Sequence, residues 1–243
     1  MKILRMRFDA PLMSFGGVMV DQNSPTEYFP GRAMLTGLFA NALGWYHGDS
    51  DQLQELQNRI EYAARWDIEP RPMLDYHTAD LGLAWMREPG WTTMGAPEHR
   101  TGGPVAKYGT HQRYRHYWAD GVMTVTVSLD GGLAPTTTEI GEHLRCPIRP
   151  LFLGRKTCIP GSPLFLDIVD ERDVLNALMS ADRVARPSSP ASALMAACWP
   201  ITIPPPSAAS CREIIVYDSR DWKNQVHVGA RKRYEGELTE GIL

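Results

Sequence analysis

Residues 3–8 alternate in polarity, with Leu4, Met6 and Phe8 on one face and Ile3, Arg5 and Arg7 on the other. A period of two predicts a strand. If that strand is central, two arginines lie on the face away from Leu4 and Met6. A glycine-containing loop follows at Ser14-Phe15-Gly16-Gly17, then polar residues to Phe29-Pro30. Leu35, Leu38, Phe39, Ala42 and Leu43 then recur at helical spacing, one apolar stripe. Pro30 suits the start of this helix and Gly44 its end. Burying the stripe is worth roughly 1.5–3 kcal/mol gross for each large side chain, enough to anchor a domain. A second helix is expected from about Ser50 to Ala64, with Leu53, Leu56, Ile60 and Ala63 inward.

Extended chain is expected through Trp66-Asp67-Ile68, Pro70 and Pro72. Tyr76-His77-Thr78 then leads into a long excursion rich in glycine and proline. Arms of this size without their own core are usually functional or disordered. The chain returns through Thr110 to Trp118. Met123, Val125, Val127 and Leu129 alternate with Thr124, Thr126 and Ser128, another strand. A helix is expected over 135–145, marked by Ile140 and Leu144, and a short one over 171–181. Six of the 21 residues from Arg186 to Pro206 are proline, which predicts extended, irregular chain. Ile214 to Tyr217 is a last strand candidate.

The order is strand, helix, strand, long arm, strand, helix, basic loop. It predicts an α+β protein with a ferredoxin-like βαββαβ core. The RNA-binding domain is expected over 1–170, with the arm at about 78–118. Residues 171–243 form a small irregular C-terminal appendage in this reading. RNA-binding modules often use such a core, with the sheet or its loops as platform.

Composition narrows the class. With 243 residues, 43% hydrophobic and 22% charged, the chain can bury a core without disulfides or metal. No apolar run reaches the ~18 residues that a membrane span needs. The charged, alternating start Met1–Arg7 is not expected to act as a signal peptide. Cys146, Cys158, Cys198 and Cys211 show no C-x-x-C or zinc spacing, so reduced thiols in a cytoplasmic protein are expected.

Net charge is −3, but it is uneven. His99–Trp118 holds Arg100, Lys107, Arg113 and Arg115 with no acid. His143–Gly161 holds Arg145, Arg149, Arg155 and Lys156, again with none. Four of the seven histidines lie in these windows. Charge alone fits local contact with a polyanion or a solvated loop surface equally. Arg231-Lys232-Arg233 is a short third basic cluster near the C-terminus, for which a solvated tail is the simple reading. Arg32 falls in the first turn of the first helix, where free N–H groups and the dipole favour an anion.

There is no G-x-x-x-x-G-K-[ST], no G-x-G-x-x-G after a strand, no H-E-x-x-H and no G-x-S-x-G. No cofactor or metal is expected. What remains is Thr110-His111-Gln112-Arg113-Tyr114-Arg115-His116-Tyr117-Trp118. Extended, each face mixes cation or imidazole with an aromatic ring. Arginines suit phosphates and rings suit splayed bases, each stack worth ~1–3 kcal/mol. The bland alternative puts Tyr117 and Trp118 in the core and the arginines in solvent.

Five stretches, taken in order, resemble the CasD-type subunits of type I-E CRISPR Cascade, of the RAMP superfamily of CRISPR RNA-binding proteins. Leu4–Gly16 is similar to their first strand and Pro-Met-x-x-Trp-Gly turn, with Phe15 for tryptophan and Leu12 intervening. Phe29-Pro30-Gly31-Arg32 with Leu35-Thr36-Gly37-Leu38 and Leu43-Gly44 matches their first helix. Tyr76-His77-Thr78 matches the opening of their thumb-like arm. Arg113-Tyr114-Arg115-His116-Tyr117 resembles its close, with Tyr114 for tryptophan and His116 for glutamate. Pro150–Cys158 is similar to their Pro-x-x-Leu-Gly-Arg-Arg-Ser-Cys loop.

The resemblance implies a non-catalytic subunit that grips the 5′ handle of the CRISPR RNA and caps the backbone filament. It implies a CasC-type backbone subunit and a CasA-type large subunit as partners, with target DNA reached through the complex. Arg115 would stand beside the kinked nucleotide, and Arg32, Arg155 and Lys156 would line the handle pocket. With the residues read directly, the candidate RNA-contacting set is Arg32, Thr110, His111, Arg113, Tyr114, Arg115, Arg149, Arg155 and Lys156. Type I-C relatives imply an alternative, metal-free cleavage of repeat RNA by a tyrosine and a Lys-His pair. Tyr46 lies where that tyrosine would be, but no Lys-His dipeptide occurs. His111, His116 and His143 are the candidate acid–base groups. A third reading is a scaffold that contacts protein only.

Overall fold

The computed structural model describes residues 1–17, 19, 21–80, 90–91, 97–98, 110–186, 194–207 and 209–239. The first strand, β1 (Lys2–Asp9), places Leu4, Met6 and Phe8 in the core as their alternation requires. Helix α1 (Arg32–Leu43) follows, with Gly31 as N-cap and Gly44 in the left-handed conformation at its end. Helix α2 (Ser50–Arg59) is shorter than expected. It passes at Ile60 directly into strand β2 (Ile60–Ile68), so Ile60 and Ala63 belong to a strand. The helical spacing of Leu53, Leu56, Ile60 and Ala63 runs across the junction, whereas the strand's own alternation sets Ile60, Tyr62, Ala64 and Trp66 in one core and Ala63 in the other.

Strand β3 (Arg71–Asp80) pairs antiparallel with β4 (Thr110–Ala119) along its full length. The middle of the expected arm, 81–89, 92–96 and 99–109, lies outside the described residues. Strand β5 (Val122–Leu129) and helix α3 (Thr137–Arg145) come next. Thr136 caps α3 through a reciprocal capping box with Glu139. Strand β6 (Phe165–Asp170) and the short helix α4 (Val174–Met179) follow. After α4 come strands β7 (Leu194–Pro200), β8 (Ser210–Val216), β9 (Ser219–Asp221), β10 (Val226–Val228) and β11 (Arg231–Thr239).

The main sheet has seven strands in the order β6-β1-β5-β2-β7-β11-β8. β1 pairs antiparallel with both β5 and β6, and β5 with β2. Helices α1, α2 and α3 bury Leu35, Leu38, Phe39, Leu56, Ile140 and Leu144 in one core with Leu4, Met6, Phe8 and Val125. Helix α4 covers the other face through Val174, Leu175 and Leu178. Arg5 on that face donates to the Ala177 carbonyl at 3.0 Å, and Arg65 to those of Leu178 and Ala181 at 2.9 and 3.0 Å. Cations thus meet the negative end of α4. Arg65 also pairs with Asp67 at 2.7 Å, and Thr124 donates to Asp67 at 2.6 Å. Apolar packing under α4 and these paired polar side chains close this face, so at β1, β2 and β5 it offers no open platform.

The C-terminal appendage needs correction. β7 pairs with β2, and β11 with β7, so the segment continues the main sheet rather than hanging from it. The Pro-rich window contains β7 because Leu194–Trp199 is free of proline. The expected solvated tail is also corrected. Arg233 is 3% exposed and pairs with Glu235, and Arg231 pairs with Asp218. Among the described residues, no helix is long and apolar enough to cross a membrane.

Candidate nucleic-acid interface

The loop after α3 carries the basic motif. Gly154 has φ +101°, and a Cβ there would stand 1.7 Å from the Ser14 carbonyl oxygen. Only glycine fits that approach. The contact is sealed by the Ser14 N–H donating to the Leu153 carbonyl at 3.0 Å. The glycine-containing loop after β1 and the basic loop are therefore one unit.

Within it the cations separate by role. Arg149 donates to the Trp45 and Gly44 carbonyls at 2.7 Å each, capping the C-terminal end of α1. Its guanidinium lies 4.2 Å from the Tyr46 ring centroid. Arg155 donates to the carbonyls of His116 (2.9 Å) and Ser24 (3.0 Å) and lies 4.7 Å from the Tyr117 ring. It staples the basic loop to the base of the β3–β4 ribbon. Lys156 is exposed, with no hydrogen-bond or ion-pair partner among the described residues.

Arg149 and Lys156 line a cleft of about 380 Å³ over α1. Tyr46, His47, Asn41 and Arg220 also face it, and none of its lining residues is an acid. Arg32 and Arg155 are not among them. The anion-favouring end of α1 is already filled. Asp218 accepts from the Arg32 N–H at 3.1 Å, and its own carbonyl accepts from Ala33 at 2.9 Å. Arg231 bonds the same carboxylate at 2.6 and 2.8 Å. Burial and the neighbouring Arg231 lower the pKa of Arg32, while Asp218 opposes the shift. Burial raises the pKa of Asp218, but Arg231 and the Arg32 N–H outweigh it and hold the carboxyl low.

On the ribbon, Arg113 donates to the Asp21 carbonyl at 2.9 Å. Tyr114 stacks on Tyr76 at 5.1 Å. Arg115 is half-buried with no hydrogen-bond or ion-pair partner among the described residues. Tyr117 is in the core, and Trp118 donates to the Glu27 carbonyl at 2.7 Å. For these two rings the bland reading holds. Thr110 and His111 have their backbones opposite Asp80 and Ala79, and their side chains lie outside the described residues. His143 lines a different cleft, with Arg59 and Glu139.

Sequence reasoning missed His47 and Arg220. His47 had a signal, being adjacent to Tyr46. Arg220 had none, because only long-range packing brings it to α1.

The fold and its basic cleft define a mixed α/β protein with a ribbon inserted between two inner strands of its main sheet, and comparison with known proteins supplies its family. Residues 3–234 match the family model of CRISPR-associated protein (Cas_Cas5), and the chain belongs to that family. It is 27% identical over 189 residues to the CRISPR system Cascade subunit CasD of Escherichia coli (strain K12), covering 74% of this chain and 77% of the relative. The resemblance to CasD-type subunits is thereby borne out. Two solved structures share the fold. One is a chain of a CRISPR RNA-guided surveillance complex, with TM-score 0.68 and 23% identity, covering 98% of this chain and 90% of that one. The other, a Cas protein crystal structure, has TM-score 0.61 and 19% identity, covering 99% and 95%.

Proposed function

We propose that the chain is a non-catalytic, RNA-binding subunit of a CRISPR surveillance complex. In this reading it grips the 5′ handle of the CRISPR RNA and caps the backbone filament. The observation that carries it is the cleft over α1, lined by Arg149 and Lys156 and by no acid. Unneutralised cations beside exposed rings suit a single strand, whose phosphates and bases they can hold together.

The strand order β6-β1-β5-β2, with α1 and α3 on one face, supports a ferredoxin-like core of the RAMP type. The β3–β4 ribbon supports the base of a thumb-like arm. Such an arm would pack on a CasC-type backbone subunit, and a CasA-type large subunit would lie nearby, with target DNA reached through the complex. Arg113, Arg149 and Arg155 spend guanidinium donors on backbone carbonyls, so they act here by shaping the interface and, for Arg149, by adding positive charge to the cleft. Arg115 and Lys156 remain free to meet phosphate.

A second reading, metal-free RNA cleavage, is favoured by Tyr46, His47 and Lys156 facing one cleft. A gel with labelled repeat RNA, the full chain and EDTA separates the two. Intact RNA, shifted in a handle-dependent way and released by Lys156→Glu, supports the clamp. Cutting that survives EDTA and stops in Tyr46→Phe or His47→Ala sinks it.

A further inference from the structure

Arg220 and Trp222 bring the C-terminal hairpin β9–β10, to which no motif assigns a role, into the lining of the cleft over α1. Gln57 of α2, 2% exposed, binds this hairpin three times. Its Nε2 donates to the Arg220 carbonyl at 2.9 Å. Its Oε1 accepts from the Arg220 N–H at 3.0 Å and from Trp222 Nε1 at 3.1 Å. Trp222 is buried against Ala40 and Leu53 of the two helices. The backbone of Arg220 is thus fixed on both its polar groups, which pre-organises the side chain above it.

That side chain is under-used. Its Nη2 donates to the Gln225 carbonyl at 3.1 Å, and its guanidinium lies 5.5 Å from the Trp222 ring. Its Nε is buried with no hydrogen-bond partner, and it forms no ion pair among the described residues. Leaving a buried charged donor unpaired is costly unless a ligand completes it. The anchor docks the hairpin on the two helices and holds Arg220 in the same cleft lining as Arg149 and Lys156. Three cations then share one cleft with no counter-ion in its lining.

We propose that Arg220 is a phosphate-binding residue of the RNA cleft, so that the hairpin and the basic loop grip one strand together. This rests on the RNA-binding reading above. Each phosphate contact with a single strand adds about 0.7 to the slope of log affinity against log salt.

The test is that slope, measured by anisotropy on the full chain with labelled single-stranded repeat RNA. Arg220→Ala and Arg220→Gln are expected to lower it by about 0.7, while Arg220→Lys restores it. Gln keeps a donor for Gln225 without the charge, so a fold defect and a lost contact are told apart. Arg212→Ala, on the exposed edge strand β8, is expected to leave the slope unchanged. A native slope in both Arg220→Ala and Arg220→Gln, with a reduced one in Lys156→Ala, overturns the proposal and leaves the RNA-binding reading standing. A native chain that shows no salt-dependent RNA binding overturns both.

Discussion

Arg155 lies over the ring of Tyr117, its guanidinium 4.7 Å from the ring centroid, while its two terminal nitrogens reach the carbonyls of His116 and Ser24. Three segments far apart in the chain meet on that one side chain. Arg155→Ala is therefore expected to lower stability by roughly 1.5–3 kcal/mol, the scale of hydrogen bonds to a charged group. Arg155→Lys should recover little, because an ammonium lacks the planar fork. Urea midpoints for the two variants check this. A variant that melts like the native chain yet loses RNA would instead make Arg155 a direct contact.

Gly154→Ala is expected to destabilise more than a usual loop substitution. The methyl would stand 1.7 Å from the Ser14 carbonyl oxygen, at φ +101°. Backbone strain of that kind costs on the order of 1–3 kcal/mol before the clash is counted. Thermal melting of Gly154→Ala beside Gly131→Ala makes the comparison. Gly131 shares positive φ but has open space around it, so the difference isolates the close approach.

Acid should loosen the C-terminal hairpin. Arg231 and the Arg32 N–H stabilise the charged form of Asp218 against the opposing effect of burial, and its pKa is held below the ordinary carboxylate value. A carboxyl depressed in the folded state adds stability above its unfolded pKa of about 3.9, lost as pH falls through the folded value. Asp218→Asn is expected to be less stable at neutral pH and to show a flatter acid limb. Denaturation series between neutral pH and the acid range read both. An unchanged acid limb would remove Asp218 from the account.

Thiol chemistry should distinguish the cysteines. Cys146 is exposed, whereas Cys158 and Cys198 are buried. Burial pushes the Cys198 thiol up to about 11, so almost none is thiolate at neutral pH. A thiol reagent should label Cys146 quickly in the native chain, and Cys158 and Cys198 only on unfolding. Mass spectrometry of labelled peptides reports the order.

Elements that bury one face were legible along the chain. β1, α1 and α3 show their period in this way, and β5, though buried on both faces, keeps its period because Thr124, Thr126 and Ser128 are polar. The start of β2 was hidden. Ile60 and Ala63 also continue the helical spacing of Leu53 and Leu56, and the two alanines favour a helix by propensity, so the strand's own alternation was masked. β11 was hidden for another reason. Arg231 and Arg233 are charged, yet they lie inward because Asp218, Tyr62 and Glu235 receive them.

The candidate site divides the same way. Residue order already placed Arg149, Arg155 and Lys156 on one acid-poor loop, and the five motifs already pointed to the family. Local sequence carries that much, since a loop keeps its neighbours whatever the fold. Which cation stays free was settled by long-range contacts alone. Carbonyls of Gly44 and Trp45 engage Arg149, those of Ser24 and His116 take Arg155, and Asp218 fills the end of α1 beside Arg32. Arg220 joins the cleft only because Gln57, 163 residues away in sequence, holds its backbone there. A side chain's partners are set by packing across the chain, and no local pattern encodes them.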